Sequence, residues 1–217
     1  IASRSIRLHW EREVYPDGAY RERCGYHTVA MSYVMHAVAI IRLNRLESRF
    51  PELMNTATQQ ILHRMHDWLL SMTAPDGTLP AFGDYGATSM LRFLRRGAAL
   101  YHRADLAWPL QQLIPDRVPR GIIPTEPAFP PSVSLASDFT VLRDGWSPTS
   151  FYMAIDHGPM TSQHSHIDTL GFVAYAHGRP IALDSGLGPN YEDPRYVNWF
   201  RKLRAHNVIA IDDGESE

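Results

Sequence analysis

Three short stretches concentrate metal-ligating and proton-transferring side chains. In 164-HSHID-168 two histidines stand two residues apart and an aspartate follows two later. Asp184 comes next in 182-ALDSG-186, and His206 in 204-RAHN-207. Each group sits at the edge of a strand-like apolar run. Neighbouring strands lie only about 4.8 Å apart, so three strand-edge loops can bring their side chains to one point. His166, Asp184 and His206 would there offer two nitrogens and an oxygen, a set suited to Zn2+. Asp168 is a competing oxygen ligand, or an aspartate that only hydrogen-bonds its own loop. The spacing is not that of a compact zinc motif, so separate polar residues at strand ends remain the alternative. In an extended segment His164 points to the same face as His166, about 7 Å away. With His166 on a metal, His164 is left for a cleft, where a histidine can pass protons near neutral pH.

The elements that must position these groups differ between the two parts of the chain. Up to about residue 115 the apolar residues recur at helical steps. Tyr26, Val29, Ala30, Tyr33, Ala37, Ile40 and Ile41 form one expected buried stripe, and Met54, Ala57, Ile61, Met65, Trp68 and Met72 a second. A third run holds Met90, Phe93, Leu94 and Tyr101. Pro51 suits a helix start, where its missing N–H costs little. Residues 116–137 carry prolines dense enough to break helix and sheet, which reads as a linker. From 138 the period shortens, and 139-FTVLR-143, 150-SFYMAID-156, 169-TLGFVAYAHG-178 and 207-NVIAID-212 read as strands. Helices followed by strands, rather than alternating with them, imply an α+β chain of separate parts. A Pro-Asp-Gly turn occurs at 16–18 and again at 75–77, a faint repeat that would set His27 and Tyr85 on one face of a helical array.

Bulk properties narrow the partners. The chain has 217 residues, is 44% hydrophobic and carries a formal net charge of -2, which gives no electrostatic case for nucleic acid or an anionic membrane. Arg92, Arg95, Arg96 and Arg103 still form a local basic group. No run of about 18 apolar residues suggests a membrane span. The one cysteine, Cys24, rules out an internal disulfide. Without an initiator Met, and stopping just past a strand-like run, the sequence reads as a piece of a longer protein.

The segment 164-HSHIDTLGFVAYAHGRPIALDSG-186 followed by 205-AHNVIAID-212 resembles the heparinase II/III-like polysaccharide lyases, a group that includes oligoalginate lyases. The helical part matches more loosely through 16-PDGAYRERCGYH-27 and 75-PDGTLPAFGDYG-86. The resemblance implies a partial (α/α) toroid of helical hairpins over 1–115, the linker, and the start of an antiparallel β-sandwich over 138–217, with substrate between them. It implies β-elimination on a uronate-containing anionic polysaccharide, leaving an unsaturated uronate, and a periplasmic or secreted location. Carried over by motif, Tyr85 is the acid/base tyrosine, with Tyr26, Tyr20 and Tyr191 as alternatives. His27 neutralises the substrate carboxylate or assists proton removal, and His164 faces the sugar. His166, Asp184 and His206 look like a structural zinc site. Tyr26, Asn190 and Arg204 are candidate substrate contacts. Two readings from other classes compete: a non-catalytic glycan-binding protein with a structural zinc, and a zinc hydrolase in which the metal activates water.

Overall fold

The computed structural model describes residues 9–159 and 164–209. Helical residues 9–13 lead to α1 (Arg23–Leu43). A one-turn helix α2 (Pro51–Met54) has Pro51 in its first turn, and α3 (Thr56–Met72) begins under an Asn55 cap that accepts the Thr58 N–H at 2.9 Å. A two-stranded hairpin, β1 (Thr78–Leu79) with β2 (Thr88–Ser89), precedes α4 (Leu91–Tyr101) and α5 (Trp108–Leu113). Then come five antiparallel strands in chain order: β3 (Val133–Leu135), β4 (Phe139–Arg143), β5 (Tyr152–Asp156), β6 (Gly171–Ala176) and β7 (Arg179–Ala182). The architecture is helices followed by an antiparallel sheet.

The alternation along the strands decides how the two parts join. The pairings Phe139 with Asp156, Val141 with Ala154 and Arg143 with Tyr152, continued by Val173 and Tyr175, put one set of side chains on one face. That face is buried against α3 and the β1–β2 loop. Trp68 and Phe82 meet the Phe139 ring edge-on and tilted, at 6.0 and 5.8 Å between centroids. Several polar groups at the seam are paired, as burial favours. The Tyr152 hydroxyl donates to the Met72 carbonyl at 2.7 Å, and Trp68 Nε1 donates to Ser137 Oγ at 3.0 Å. Arg143, almost wholly buried, donates to the Ser71 and Thr73 carbonyls at 2.8 Å each. Burial pulls its guanidinium down to about 10. Arg23 forms a buried ion pair with Asp156. One apolar core therefore runs from helices to sheet.

The structure corrects several expectations. Helix α1 buries Met31, Met35, Val38 and Ile41, while Tyr33 is 74% and Ile40 58% exposed. The stripe chosen from sequence is largely the outward one. By length and composition α1 could cross a bilayer, yet its inner face lies in this core. The two Pro-Asp-Gly turns do share geometry, since Asp17 and Asp76 each accept the backbone N–H two residues on at 3.0 and 2.9 Å. The likeness ends there, because the first turn leads to α1 and the second to a hairpin. Strand β3 lies within the proline-rich segment, and Ile122 and Phe129 pack on the core, so that segment is held rather than loose. β7 was not foreseen from alternation. Residues 207–209 are not strand, and the rest of 207–212 lies outside the described residues.

Candidate active site and metal centre

Two glycines let three loops converge. Gly83, in the β1–β2 loop, has φ +67°, and a Cβ there would come within 2.5 Å of the His164 carbonyl. The Asp84 N–H donates to that same carbonyl at 3.0 Å. Gly186, at φ +55°, lies against the Tyr85 carbonyl, which accepts the Leu187 N–H at 3.2 Å. Only glycine tolerates both the backbone angle and the approach. The loop 82–86 is thus tied to the segment around His164 and to the segment after Asp184.

Asp84 is the hub that results. Its side chain is 1% exposed and accepts from three donors. His164 Nδ1 lies 3.0 Å from Oδ2, and His166 Nε2 lies 2.8 Å from Oδ1. The Tyr196 hydroxyl donates to both oxygens, at 2.8 and 2.9 Å. Burial works against the Asp84 carboxylate, but the hydrogen bonds from His166, Tyr196 and His164 outweigh it and hold the group below the ordinary range. The Tyr196 phenol is pushed up to about 12, by burial first and then by Asp84. Sequence reasoning missed both residues. Asp84 lay inside the 82-FGDYG-86 stretch singled out for its tyrosine, and its flanking glycines were the available signal. Nothing in the pattern marks Tyr196, which sits in a helical turn of π geometry at Tyr196–Phe200.

Above the hub, Tyr26 at the start of α1 stacks on His164, with centroids 3.9 Å apart and planes 24° from parallel. The Tyr26 hydroxyl is 3.2 Å from that of Tyr191. Burial, and next the hydrogen bond with Tyr26, raise the Tyr191 phenol. The His164 side chain is 26% exposed, so the pair reaches solvent. Tyr26 also borders a groove of about 600 Å³ along α1, lined by Trp10, Tyr20, Val29 and Tyr33 among others. With Nδ1–H donating to the Asp84 carboxylate, Nε2 is the nitrogen that carries no proton in the neutral His164 tautomer.

Below the hub, His166, Asp168 and His206 each bring a ligand atom to within 4.8 Å of the others, and all three are buried. Each has one buried polar atom with no hydrogen-bond partner among the described residues: His166 Nδ1, Asp168 Oδ2 and His206 Nε2. Unpaired buried groups of this kind are costly. Both histidines have their other nitrogen on a carboxylate, His166 on Asp84 and His206 Nδ1 on Asp184 at 2.8 Å. That is how metal-bound histidines are commonly oriented. Burial, and then the nearby Asp156 carboxylate, push Asp168 up to about 7. Burial lowers His166, whereas for His206 the Asp184 contacts overcome burial and raise it. The donor set fits a zinc-sized cation, with His166, Asp168 and His206 facing one point and Asp184 steadying His206.

The remaining sequence candidates are dispersed. His27 is fully buried. Its Nδ1 accepts the Tyr20 N–H at 3.1 Å, its Nε2 donates to the Met65 carbonyl at 3.1 Å, and its ring lies against Trp68. With both nitrogens engaged inside the core it cannot reach a substrate. Burial drives its pKa down to about 3, so it is neutral. Tyr85 is half-buried with its ring against Gly25, so Tyr26, not Tyr85, is the tyrosine on His164. Asn190 Oδ1 accepts the Glu192 and Asp193 N–H groups at 2.9 Å each, shaping its own turn. Arg204 is exposed on the short turn Leu203–Ala205 beside His206.

Comparison with known proteins defines the family and the fold. The heparinase II/III N-terminus family matches residues 2–108, and the heparinase II/III-like C-terminal family matches residues 128–217. The chain belongs to the heparinase II/III-like family. Among solved structures it is similar to a heparinase III gene product (TM-score 0.81, 22% identity, 97% of this chain and 32% of that one). It is also similar to a mutant heparan sulfate lyase from Pedobacter heparinus (TM-score 0.76, 25% identity, 97% and 32%). A further heparinase III matches with TM-score 0.75 and 20% identity over 98% of this chain and 35% of that one. The chain therefore spans about a third of the length of these proteins. No curated protein matches it.

Proposed function

We propose that this chain carries the catalytic centre of a polysaccharide lyase that cleaves a uronate-containing polysaccharide by β-elimination. The observation that carries the reading is the Tyr26–His164 stack, held through His164 by Asp84, with His164 partly exposed and Tyr26 on the wall of the groove. In β-elimination the C5–H bond and the C4–O bond break, a C4–C5 double bond forms, and the leaving oxygen gains a proton. A base and an acid must therefore stand side by side on the reacting edge of one sugar. His164 Nε2 and the Tyr26 hydroxyl are such a pair, and Tyr191 hydrogen-bonds the phenol from the other side. The substrate carboxylate must be neutralised while charge builds at C5, the step in which a preorganised cation contributes most. His27 is buried too deeply for it, and we give the role to Arg204.

The cation site belongs to the same proposal. Zn2+ would be held by His166, Asp168 and His206, and when bound it supplies a fixed positive charge that locks the loops under His164. Asp184 and Asp84 orient the two histidines. We place the helices in an (α/α) toroid, the sheet in a β-sandwich and the substrate in the cleft between them. A polysaccharide substrate of this kind puts the protein in the periplasm or outside the cell.

The test is ultraviolet absorbance of the unsaturated product on a panel of uronic polysaccharides, with this chain, the longer protein containing it, and variants of each. Activity should vanish in Tyr26→Phe and His164→Ala and survive in Tyr85→Phe. A Tyr26→Phe variant as fast as wild type would refute the assignment of the acid/base pair. No product from either wild-type form would reject the lyase and leave a glycan-binding protein.

A further inference from the structure

The arginine group of α4 takes no part in the site described above, and it has its own topography. Arg92, Arg95 and Arg96 are spaced i, i+3 and i+4, so all three project from one face of the helix, and all three are exposed. Like charges at those spacings destabilise a helix. The usual remedy is interleaved carboxylates, and here there are none. Among the described residues Arg92, Arg95, Arg96, Arg42 and Arg117 have no ion pair, whereas Arg103, on the following turn, is paired with Asp67 and Asp105.

Two grooves meet on this face, and they share Arg96. One, of about 560 Å³, runs between the C-terminal half of α1 and α4, with His36, Arg42, Arg96 and His102 on its walls. The other, of about 450 Å³, lies between α4 and the segment after α5, with Arg92, Arg95 and Arg117. Among the described residues neither is lined by a carboxylate. Some of the arginines are already oriented. Arg96 Nη1 donates to His36 Nε2 at 2.8 Å, and Arg95 Nε donates to the Arg117 carbonyl at 3.0 Å. Each keeps further guanidinium N–H groups for a ligand. The chain as a whole is slightly acidic, so this is a local concentration of charge and not a general bias.

From these observations we infer that the α1–α4 face is a second, non-catalytic binding site for an anionic polysaccharide, which it holds through carboxylate or sulfate groups. Guanidinium forks match both anions in bidentate geometry. Two joined grooves suit an extended chain better than a single small anion. Among the described residues the walls carry no Phe, Tyr or Trp to serve as the stacking platform that single-stranded nucleic acid uses. The site is distinct from the dyad. Tyr26 is at the first turn of α1 and Met35, the groove residue nearest to it along the helix, is nine residues on, which at 1.5 Å per residue places them about 14 Å apart. The inference rests on the lyase reading only for the kind of polymer it names. Its role there is to retain a long substrate between cuts.

The experiment compares wild type with the triple variant Arg92→Gln, Arg95→Gln, Arg96→Gln, with the corresponding triple lysine variant, and with His164→Ala. The readout is retention on immobilised heparan sulfate and on immobilised unsulfated polyuronate across a salt gradient. The glutamine variant should bind at least tenfold more weakly, with a melting temperature no lower than that of wild type, because the three side chains are exposed and their mutual repulsion is removed. The lysine variant should recover most of the binding, and the same loss and recovery should appear when every form carries His164→Ala, which removes turnover of the immobilised polymer. Retention on both polymers assigns carboxylate recognition, and retention on heparan sulfate alone assigns sulfate. Equal retention of wild type and the glutamine variant overturns the inference, as does tighter binding of single-stranded DNA than of either glycan. Since no readout depends on turnover, a failed lyase assay and a failed second site remain separate results.

Discussion

Replacing Asp84 by Asn tests whether the hub holds the site together. The carboxylate is 1% exposed and accepts from His164, His166 and Tyr196. Asparagine keeps one acceptor oxygen, turns an amide toward donors and removes the charge. At least two charge-assisted contacts are lost, each contributing about 1.5–3 kcal/mol, and the donors left behind are buried. The expected loss is about 3–5 kcal/mol, the range for breaking one partner of a buried charged cluster. For a chain of this length that lowers the melting temperature by about 6–20 °C. Thermal unfolding followed by circular dichroism and by tryptophan fluorescence measures it. Tyr196→Phe removes one donor to the carboxylate and should cost about 1.5–3 kcal/mol. In the double variant the costs should fall short of their sum, because the two residues share bonds. A shift under about 2 °C for Asp84→Asn, or full additivity, would refute the hub.

Other outcomes follow from the same geometry. His27 and His66 are buried neutral, with pKa values down to about 3 and about 4 because burial disfavours the charged ring. The unfolded chain binds their protons below the ordinary value of 6.5, so their contribution is intact above that pH and is lost as pH falls. At pH 5 each should cost about 2 kcal/mol, visible as a falling melting temperature between pH 7 and pH 5, with a shallower slope in His66→Gln. A flat profile would show that these rings are hydrated. Gly83→Ala forces a side chain into left-handed backbone against the His164 carbonyl; it should cost about 2 kcal/mol or more and abolish turnover, and a variant that melts and turns over like wild type contradicts the packing. A strong chelator should lower the melting temperature of wild type but not of His206→Ala, and equal responses would argue against a cation at His166, Asp168 and His206.

The helices and the central strands were legible because period and composition carry them; the facing of α1 was not. That helix is apolar nearly all round, so Tyr33 and Val38 obey the same period, and only the partners tell the exposed residue from the buried one. Of the candidate site, the His-x-His pair could be read, and the structure sets His166 inside and His164 at the surface. The burial of His27 is not legible, because a histidine whose nitrogens are both met by backbone looks in sequence like any other. Motif position points to Tyr85, while the ring that lies on His164 is Tyr26, a relation between residues far apart in the chain that the sequence does not display. Asp84 escaped notice for the same reason, since its partners are remote and a lone loop aspartate usually shapes its own turn.

That remoteness has a kinetic consequence. Asp84 meets His164, His166 and Tyr196 across 80, 82 and 112 residues of chain. Helices α1 and α3 can form from local contacts, but the hub closes only after a large loop entropy has been paid for, once the sheet has docked. A nascent or partly unfolded chain can thus be rich in helix and still lack the site entirely. Recovery of helical ellipticity should run ahead of recovery of site function during refolding, and the interval between them times the docking of the sheet.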